Sequence, residues 1–347
     1  MLNSFFLCFS LLIQQTFSKN IILKKTPVTM SSSEGNYYIS ISKFLNIQSY
    51  ELGGAVYGQF SSKTELHLLD NTFYKCIAQQ GGAVYYESSL QSTFFSQKNC
   101  VAECVASNSY SGFFVALDKN YFYQNYINFT SFIQCSQTYD ITTHTTCIYY
   151  GTVTLDCSNY TANKASKFSS VELCGSTQNF ASFNTFVNNN GDNIVLGAQI
   201  SHVFMSYSNF VHNNISDTGY ILSFESNVDS IALENCVFIA LSNCSLMNEY
   251  TPQISIRDLS IDPLINISNL NLSADPKIEI ASTYKLKFVK AKYCHAENGV
   301  SRSFAIEITG IVFASLFIIL LIITIIIFCC ARSTTMQEVN LGPLKVE

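Results

Sequence analysis

Five letters occur twice in this chain at an interval of 28 residues: GGAVY begins at Gly53 and again at Gly81. A recurrence at that interval restricts the chain to architectures in which one supersecondary unit is stacked on copies of itself. Alignment on the aromatic residue shortly before each copy, Phe44 and Phe73, carries the frame through Val101, Phe132, Tyr160, Phe186, Phe210 and Phe238, at intervals of 29, 28, 31, 28, 26, 24 and 28 residues. Three positions after these anchors stand Ile47, Cys76, Cys104, Cys135, Asn163, Asn189, Asn213 and Leu241. Two columns thus keep step through most of the chain.

The contents of each unit select the solenoid. Helical repeats need ten or more residues of 3.6-residue periodicity, whereas these units offer short pieces such as NTFV, YILSF and GAVYY between Gly, Asn and Ser turns. A propeller blade needs about 40 residues, and a leucine-rich repeat needs Leu at fixed spacing. The remaining architecture is all-β: a parallel β-helix of about eight coils, with successive strands roughly 4.8 Å apart. In it each GGAVY places two glycines at a bend that needs positive φ or has no room for a Cβ. The strand that follows is expected to put Ala and Tyr on one face and Val on the other.

Stacking also gives the columns a physical meaning. Phe44, Phe73, Phe132, Phe186, Phe210 and Phe238 are expected to lie over one another in the core, and Asn189 over Asn213 in a hydrogen-bonded ladder. Cys76, Cys104 and Cys135 would stand one strand spacing apart, within reach of disulfides, or form a reduced column of small buried thiols.

The repeat-defining residues Gly53, Gly54, Gly81 and Gly82, together with FVNN from Phe186 and FVHN from Phe210, carry a resemblance. They resemble the GGA-aliphatic and Phe-x-x-Asn repeat of the chlamydial polymorphic membrane proteins, and similar repeats occur in single-pass surface proteins of trichomonad protists. The likeness runs from about Ser42 to Leu241. It departs from the pattern in that the two halves never meet in one unit, Cys replaces Asn in the early coils, and the third glycine site is Ser111 with Gly112. It implies a right-handed, surface-exposed parallel β-helix with an adhesive role and a membrane anchor.

Both ends are apolar. Residues 1–18 read as a secretory signal peptide, and GIVFASLFIILLIITIIIFCC, Gly310 to Cys330, is uncharged and long enough at about 31 Å to cross a bilayer as a helix. The expected layout is a cap over 19–43, repeats over 44–247, terminal coils or a membrane-proximal cap over 248–307, a transmembrane helix over 308–330 and a cytoplasmic tail over 331–347. Lys287, Lys290, Lys292 and Arg302 outweigh Arg332 and Lys345, against the positive-inside rule. The signal peptide decides the orientation, giving a type I plasma-membrane protein with an extracellular ectodomain. Ten cysteines outside both apolar ends fit an oxidising compartment, as do N-x-S/T acceptors at Asn128, Asn159, Asn214, Asn243, Asn266 and Asn271. Cys329 and Cys330 at the membrane edge are lipidation candidates.

A net charge of −5, with charged residues at 12%, gives no reason to expect nucleic acid, whose binders need a basic face. The histidines share no metal spacing, and Cys100 with Cys104 lacks a second pair for zinc, so no metal or cofactor is expected. Asp192 and Asp217, with His202 or His212 nearby, are the candidates for a carbohydrate-cleaving enzyme, yet no Lys or Arg stands between Lys167 and Arg257 to meet an acidic polysaccharide. A regular face rich in Asn, Ser, Thr, Gln and Tyr favours binding of a glycan or protein ligand, with Tyr121, Tyr123 and Tyr126 as an aromatic patch. A glycosylated, antigenically variable coat is the third reading.

Overall fold

In the computed structural model, the recurrence in the letters becomes vertical stacking. The structure describes residues 22–24, 26–30, 35–90, 92–117, 123–136, 144–174, 178–195, 202–224, 228–248, 254–268, 270 and 278–280. The signal peptide, the apolar C-terminal segment, Cys329 and Cys330 lie outside them. Among the described residues no helix is long and apolar enough to cross a membrane.

The described chain is a parallel β-solenoid with three faces per coil. One face is a nine-stranded sheet running from Gly35–Ser40 through Thr64–Leu69, Thr93–Gln97, Gln124–Asn128, Thr152–Asp156, Gln178–Ser182, His202–Ser206 and Ser230–Glu234 to Ile254–Arg257. The second carries the anchors in strands mostly three residues long, such as Thr72–Tyr74 and Thr185–Val187. The third contains Val56–Phe60 and Val84–Ser88, which begin inside the two GGAVY copies, followed by Tyr110–Ala116, His144–Tyr149 and Phe168–Cys174. Every anchor pairs with the next in parallel register, from Phe44 with Phe73 to Phe210 with Phe238. The column continues past the legible repeats to Ile261 and Ile280.

The anchor side chains are fully buried and stacked. Ring centres are 5.0 Å apart for Phe44 and Phe73, 5.2 Å for Tyr160 and Phe186, and 4.7 Å for both Phe186–Phe210 and Phe210–Phe238. Each such ring contributes about 2 kcal/mol of apolar burial, and stacking adds roughly 0.5–1.5 kcal/mol.

Two turns flank each anchor from Phe44 to Phe210, and both use left-handed backbone at residues other than glycine. Three residues before the anchors, Ile41, Asp70, Lys98, Phe129, Cys157, Phe183 and Tyr207 all have φ between 48° and 57°. Two residues after them, Asn46, Lys75, Glu103, Gln134, Ala162, Asn188 and His212 lie between 50° and 54°. A left-handed L-residue costs roughly 1–2 kcal/mol, and after all of these turns but the one at Asn46, where apolar Ile47 follows, the next residue offsets it by turning a hydrogen-bonding side chain inward. After the second turn this is the Asn column: the Asn189 backbone N–H and Nδ2 donate to Asn213 Oδ1 at 2.9 and 3.0 Å, and Asn189 Nδ2 also donates to the Tyr160 carbonyl at 2.9 Å. After the first turn a parallel column runs through Ser42, Asn71, Asn99, Thr130, Ser158, Asn184, Ser208 and Cys236. There the Asn71 backbone N–H donates to Asn99 Oδ1 at 2.8 Å, and Asn184 Nδ2 donates to the Leu155 carbonyl at 2.9 Å.

The cysteine column resolves the choice left open by the sequence. Cys76, Cys104 and Cys135 are buried free thiols rather than disulfide partners. Their Sγ atoms donate to the carbonyls of Phe44, Phe73 and Val101 at 3.6, 3.6 and 3.8 Å. That is the carbonyl, one coil back, that Asn189 and Asn213 reach in later coils. The thiol therefore replaces the Asn amide as donor to this carbonyl.

The two glycines divide the tasks expected of them. Gly53 and Gly81 have φ of 66° and 61°, while a Cβ on Gly54 would lie 1.9 Å from the Gly82 carbonyl oxygen of the next coil. The residues after them differ from expectation. Ala83 and Val84 both pack into the interior, and Tyr85 faces away from it. The strand starts at Val84, so Ala83 belongs to the bend and escapes the alternation.

Candidate functional site

The outer surface of the nine-stranded sheet is where regular stacking produces a surface pattern. Alternate residues point inward in every strand, as in the buried and half-buried alternation of Thr64–Leu69, which leaves three outward columns. The central one reads Tyr38, His67, Phe95, Tyr126, Thr154, Phe180, Phe204, Ala232 and Ser255 in unbroken register. Aromatic rings dominate it. Tyr38 stacks on His67 with centres 4.6 Å apart, His67 meets Phe95 at 5.6 Å, Phe95 meets Tyr126 at 5.7 Å, and Phe180 meets Phe204 at 6.5 Å.

These rings are available to a ligand: Tyr38 is 63% exposed and Phe180 41%. At the adjoining corner the left-handed residues Phe129 and Phe183 are exposed, and Phe183 stacks on half-buried Tyr207 at 5.0 Å. Hydrogen-bonding side chains border the stripe on both sides: Gln124, Thr152, Gln178 and His202 on one, Gln97, Asn128, Asp156 and Ser182 on the other. Several are held in place by neighbours. Tyr126 Oη donates to Gln124 Oε1, Ser182 Oγ lies 3.0 Å from Ser206 Oγ, and His202 Nδ1 lies 2.7 Å from Ser230 Oγ. The three outward columns hold no Lys, and their Arg is Arg257 at the last strand.

The outer surface of the third face is different in character. Buried Tyr85 and Phe114 form an aromatic cluster with half-buried Tyr57, Tyr110 and Tyr149, Tyr85 and Tyr110 stacking on Phe114 at 4.6 and 4.7 Å. Beside it the register of Cys147 with Glu172 and Tyr149 with Cys174 assembles a buried polar group. The Sγ atoms of Cys147 and Cys174 and a Glu172 carboxylate oxygen all lie within 4.8 Å of one another. Cys147 Sγ donates to Glu172 Oε2 at 3.3 Å, and His144 Nε2 approaches the same oxygen at 2.7 Å. Burial alone would raise the Glu172 carboxyl, but His144 and the two thiols hold it below its ordinary value. Burial pushes Tyr110 up to about 12 and lifts Tyr149 and Cys147 well above their usual ranges.

The expected site residues are distributed as follows. Tyr126 lies in the stripe, Tyr123 packs against the interior cluster, and Tyr121 is outside the described residues. Asp192 and His202 belong to different faces; Asp192 lines an open cleft of about 290 Å³, and the Asp217 side chain is outside the described residues. Among the glycosylation candidates, Asn214, Asn243 and Asn266 are exposed, and Asn128 and Asn159 are half-buried in strands. Asn271 is outside the described residues. Asn266 Oδ1 already accepts from the Ser268 backbone N–H and hydroxyl at 2.9 and 2.7 Å. The stripe was missed because its columns pair residues by sheet register; Phe180 and Phe204, each six residues before an anchor, are its trace in the sequence.

These features define a class, a parallel β-solenoid with an aromatic-striped outer face. No protein-family model, curated protein or solved structure matches the chain.

Proposed function

We propose that this chain is a cell-surface binding protein that engages neutral glycans through the outer surface of its nine-stranded sheet. The observation that supports this reading is the outward-facing column Tyr38, His67, Phe95, Tyr126, Phe180 and Phe204, exposed at Tyr38 and Phe180 and half-buried between, bordered by amide and hydroxyl side chains. Aromatic rings offer flat apolar surface to the C–H faces of sugars, and Gln, Asn, Thr and Ser match their hydroxyls. The near absence of cations disfavours sulfated or uronic-acid polymers. Exposed sequons at Asn214, Asn243 and Asn266, the signal-peptide reading and the apolar segment over 308–330 support export, with a single membrane span and the solenoid outside the cell. The motif likeness to polymorphic membrane proteins agrees with an adhesive role.

Binding of the full chain in detergent micelles to an array of neutral and acidic glycans tests this. The expected result is saturable binding to neutral glycans, weakened at least tenfold by Phe180→Ala with Phe204→Ala, since two stacked rings contribute roughly 1 kcal/mol each. Tyr57→Ala on the third face leaves it unchanged. Absence of saturable binding, or binding indifferent to the stripe, contradicts the proposal; turnover of a polyuronate supports a lyase instead.

A further inference from the structure

The aromatic stripe leaves the buried cluster on the third face unexplained. Its composition is unusual for the outside of a strand. Cys147, Glu172 and Cys174 are at most 9% exposed, and His144 is 6% exposed. A carboxylate taken out of water beside two thiols is costly unless a positive charge meets it, and His144 is the basic side chain within reach. His144 Nδ1 is buried and finds no hydrogen-bond partner among the described residues.

We propose that Cys147, Cys174, Glu172 and His144 form a zinc site that clamps two consecutive coils. The donor set fits the ion: soft sulfur with imidazole nitrogen and one carboxylate selects zinc over calcium or magnesium, which want oxygen alone. The separations fit as well. With zinc–sulfur bonds of about 2.3 Å and zinc–oxygen bonds of about 2.0–2.2 Å, tetrahedral ligands stand roughly 3.3–3.8 Å apart. The three atoms already within 4.8 Å need to close by about 1 Å at most. His144 stands outside that mutually close set, and becomes the fourth ligand by swinging Nε2 from the Glu172 oxygen, 2.7 Å away, to the metal. Binding releases the two thiol protons and the Nε2 proton that His144 directs at Glu172, and the dication takes over the role of meeting the buried carboxylate and thiolates. Four protein ligands make the site closed, so its role is structural. It joins His144–Tyr149 to Phe168–Cys174, beside the aromatic cluster that Tyr149 closes.

The test is zinc content of the full chain, purified reduced in detergent micelles with zinc supplied and then desalted. The expected result is one zinc per chain, lost in Cys147→Ser with Cys174→Ser and retained in Cys104→Ser, whose thiol belongs to the interior column. Glu172→Gln is expected to weaken zinc affinity at least tenfold. Cobalt substitution of the unaltered chain gives a readout that needs no variant, a thiolate-to-cobalt charge-transfer band that zinc displaces. Wild-type chain that takes up neither metal stoichiometrically, zinc retained by the double variant, or a Cys147–Cys174 disulfide in the non-reduced peptide map would each overturn the proposal.

Discussion

Phe113 stands edge-on to Phe132, with ring centres 5.0 Å apart and planes at 82°, although the two come from different faces of the solenoid. The same ring meets Phe73 edge-on at 6.0 Å. It fills the gap in the aromatic column where the anchor is Val101, paired between Phe73 and Phe132. Phe113 itself occupies a column that holds Val84 on one side and Thr146 on the other. The coil has exchanged a large and a small residue between two faces at constant volume.

This exchange predicts strong coupling. Val101→Phe alone overpacks the coil and costs about 1–3 kcal/mol, and Phe113→Val alone leaves a cavity at a cost of about 2–4 kcal/mol. The double variant, which restores the aromatic anchor, is expected to be more stable than either single one. A double-mutant cycle by urea denaturation measures the coupling; additive losses would contradict the packing account.

The Asn ladder gives a second expectation. Asn189→Ala removes the donor to the Tyr160 carbonyl and the acceptor that serves the Asn163 backbone N–H at 3.0 Å. Leaving both buried groups unpaired costs about 2–5 kcal/mol. Asn189→Cys is expected to cost less, because a thiol keeps the donor role that Cys135 performs toward the Val101 carbonyl. Thermal unfolding of the two variants ranks them.

The buried thiols carry a pH dependence. Burial pushes Cys135 and Cys236 each up to about 12 and raises Cys104 well above its ordinary value. Below the ordinary thiol value, near 8.5, folded and unfolded chains are both protonated and stability is unaffected by these groups. Above it the unfolded chain binds fewer protons, so stability falls as pH rises toward about 12. Denaturation midpoints between pH 8 and pH 11 should decline, and the slope should flatten in Cys135→Ser. Native Cys76, Cys104 and Cys135 should resist alkylation until the chain unfolds.

The stacking was legible because the anchors bury one ring per coil, and burial tolerates few residue types. Phe186, Phe210 and their partners Asn189 and Asn213 show the period directly. The first-turn column was harder to read, since Ser42, Asn71, Thr130, Ser158 and Cys236 share a task, donating to or accepting from backbone, but no common letter. Left-handed turns at Lys98 or Ile41 carry no glycine to announce them. The aromatic stripe and the Cys147, Glu172 and Cys174 group depend on register between strands 24 to 31 residues apart, and loops of unequal length hide that register in the sequence.

The claim beneath all of this is that equivalent residues of successive coils lie in columns, and one distance measures it. Ser40 and Arg257 are exposed and joined by eight register steps through Leu69, Gln97, Asn128, Asp156, Ser182, Ser206 and Glu234. Spin labels attached to ketone-bearing amino acids at these two positions of the full chain leave the native thiols untouched. Electron–electron resonance should give a narrow distribution centred at about 38 Å, eight spacings of about 4.8 Å. A broad distribution, or a centre below about 25 Å, would contradict the columns and everything built on them.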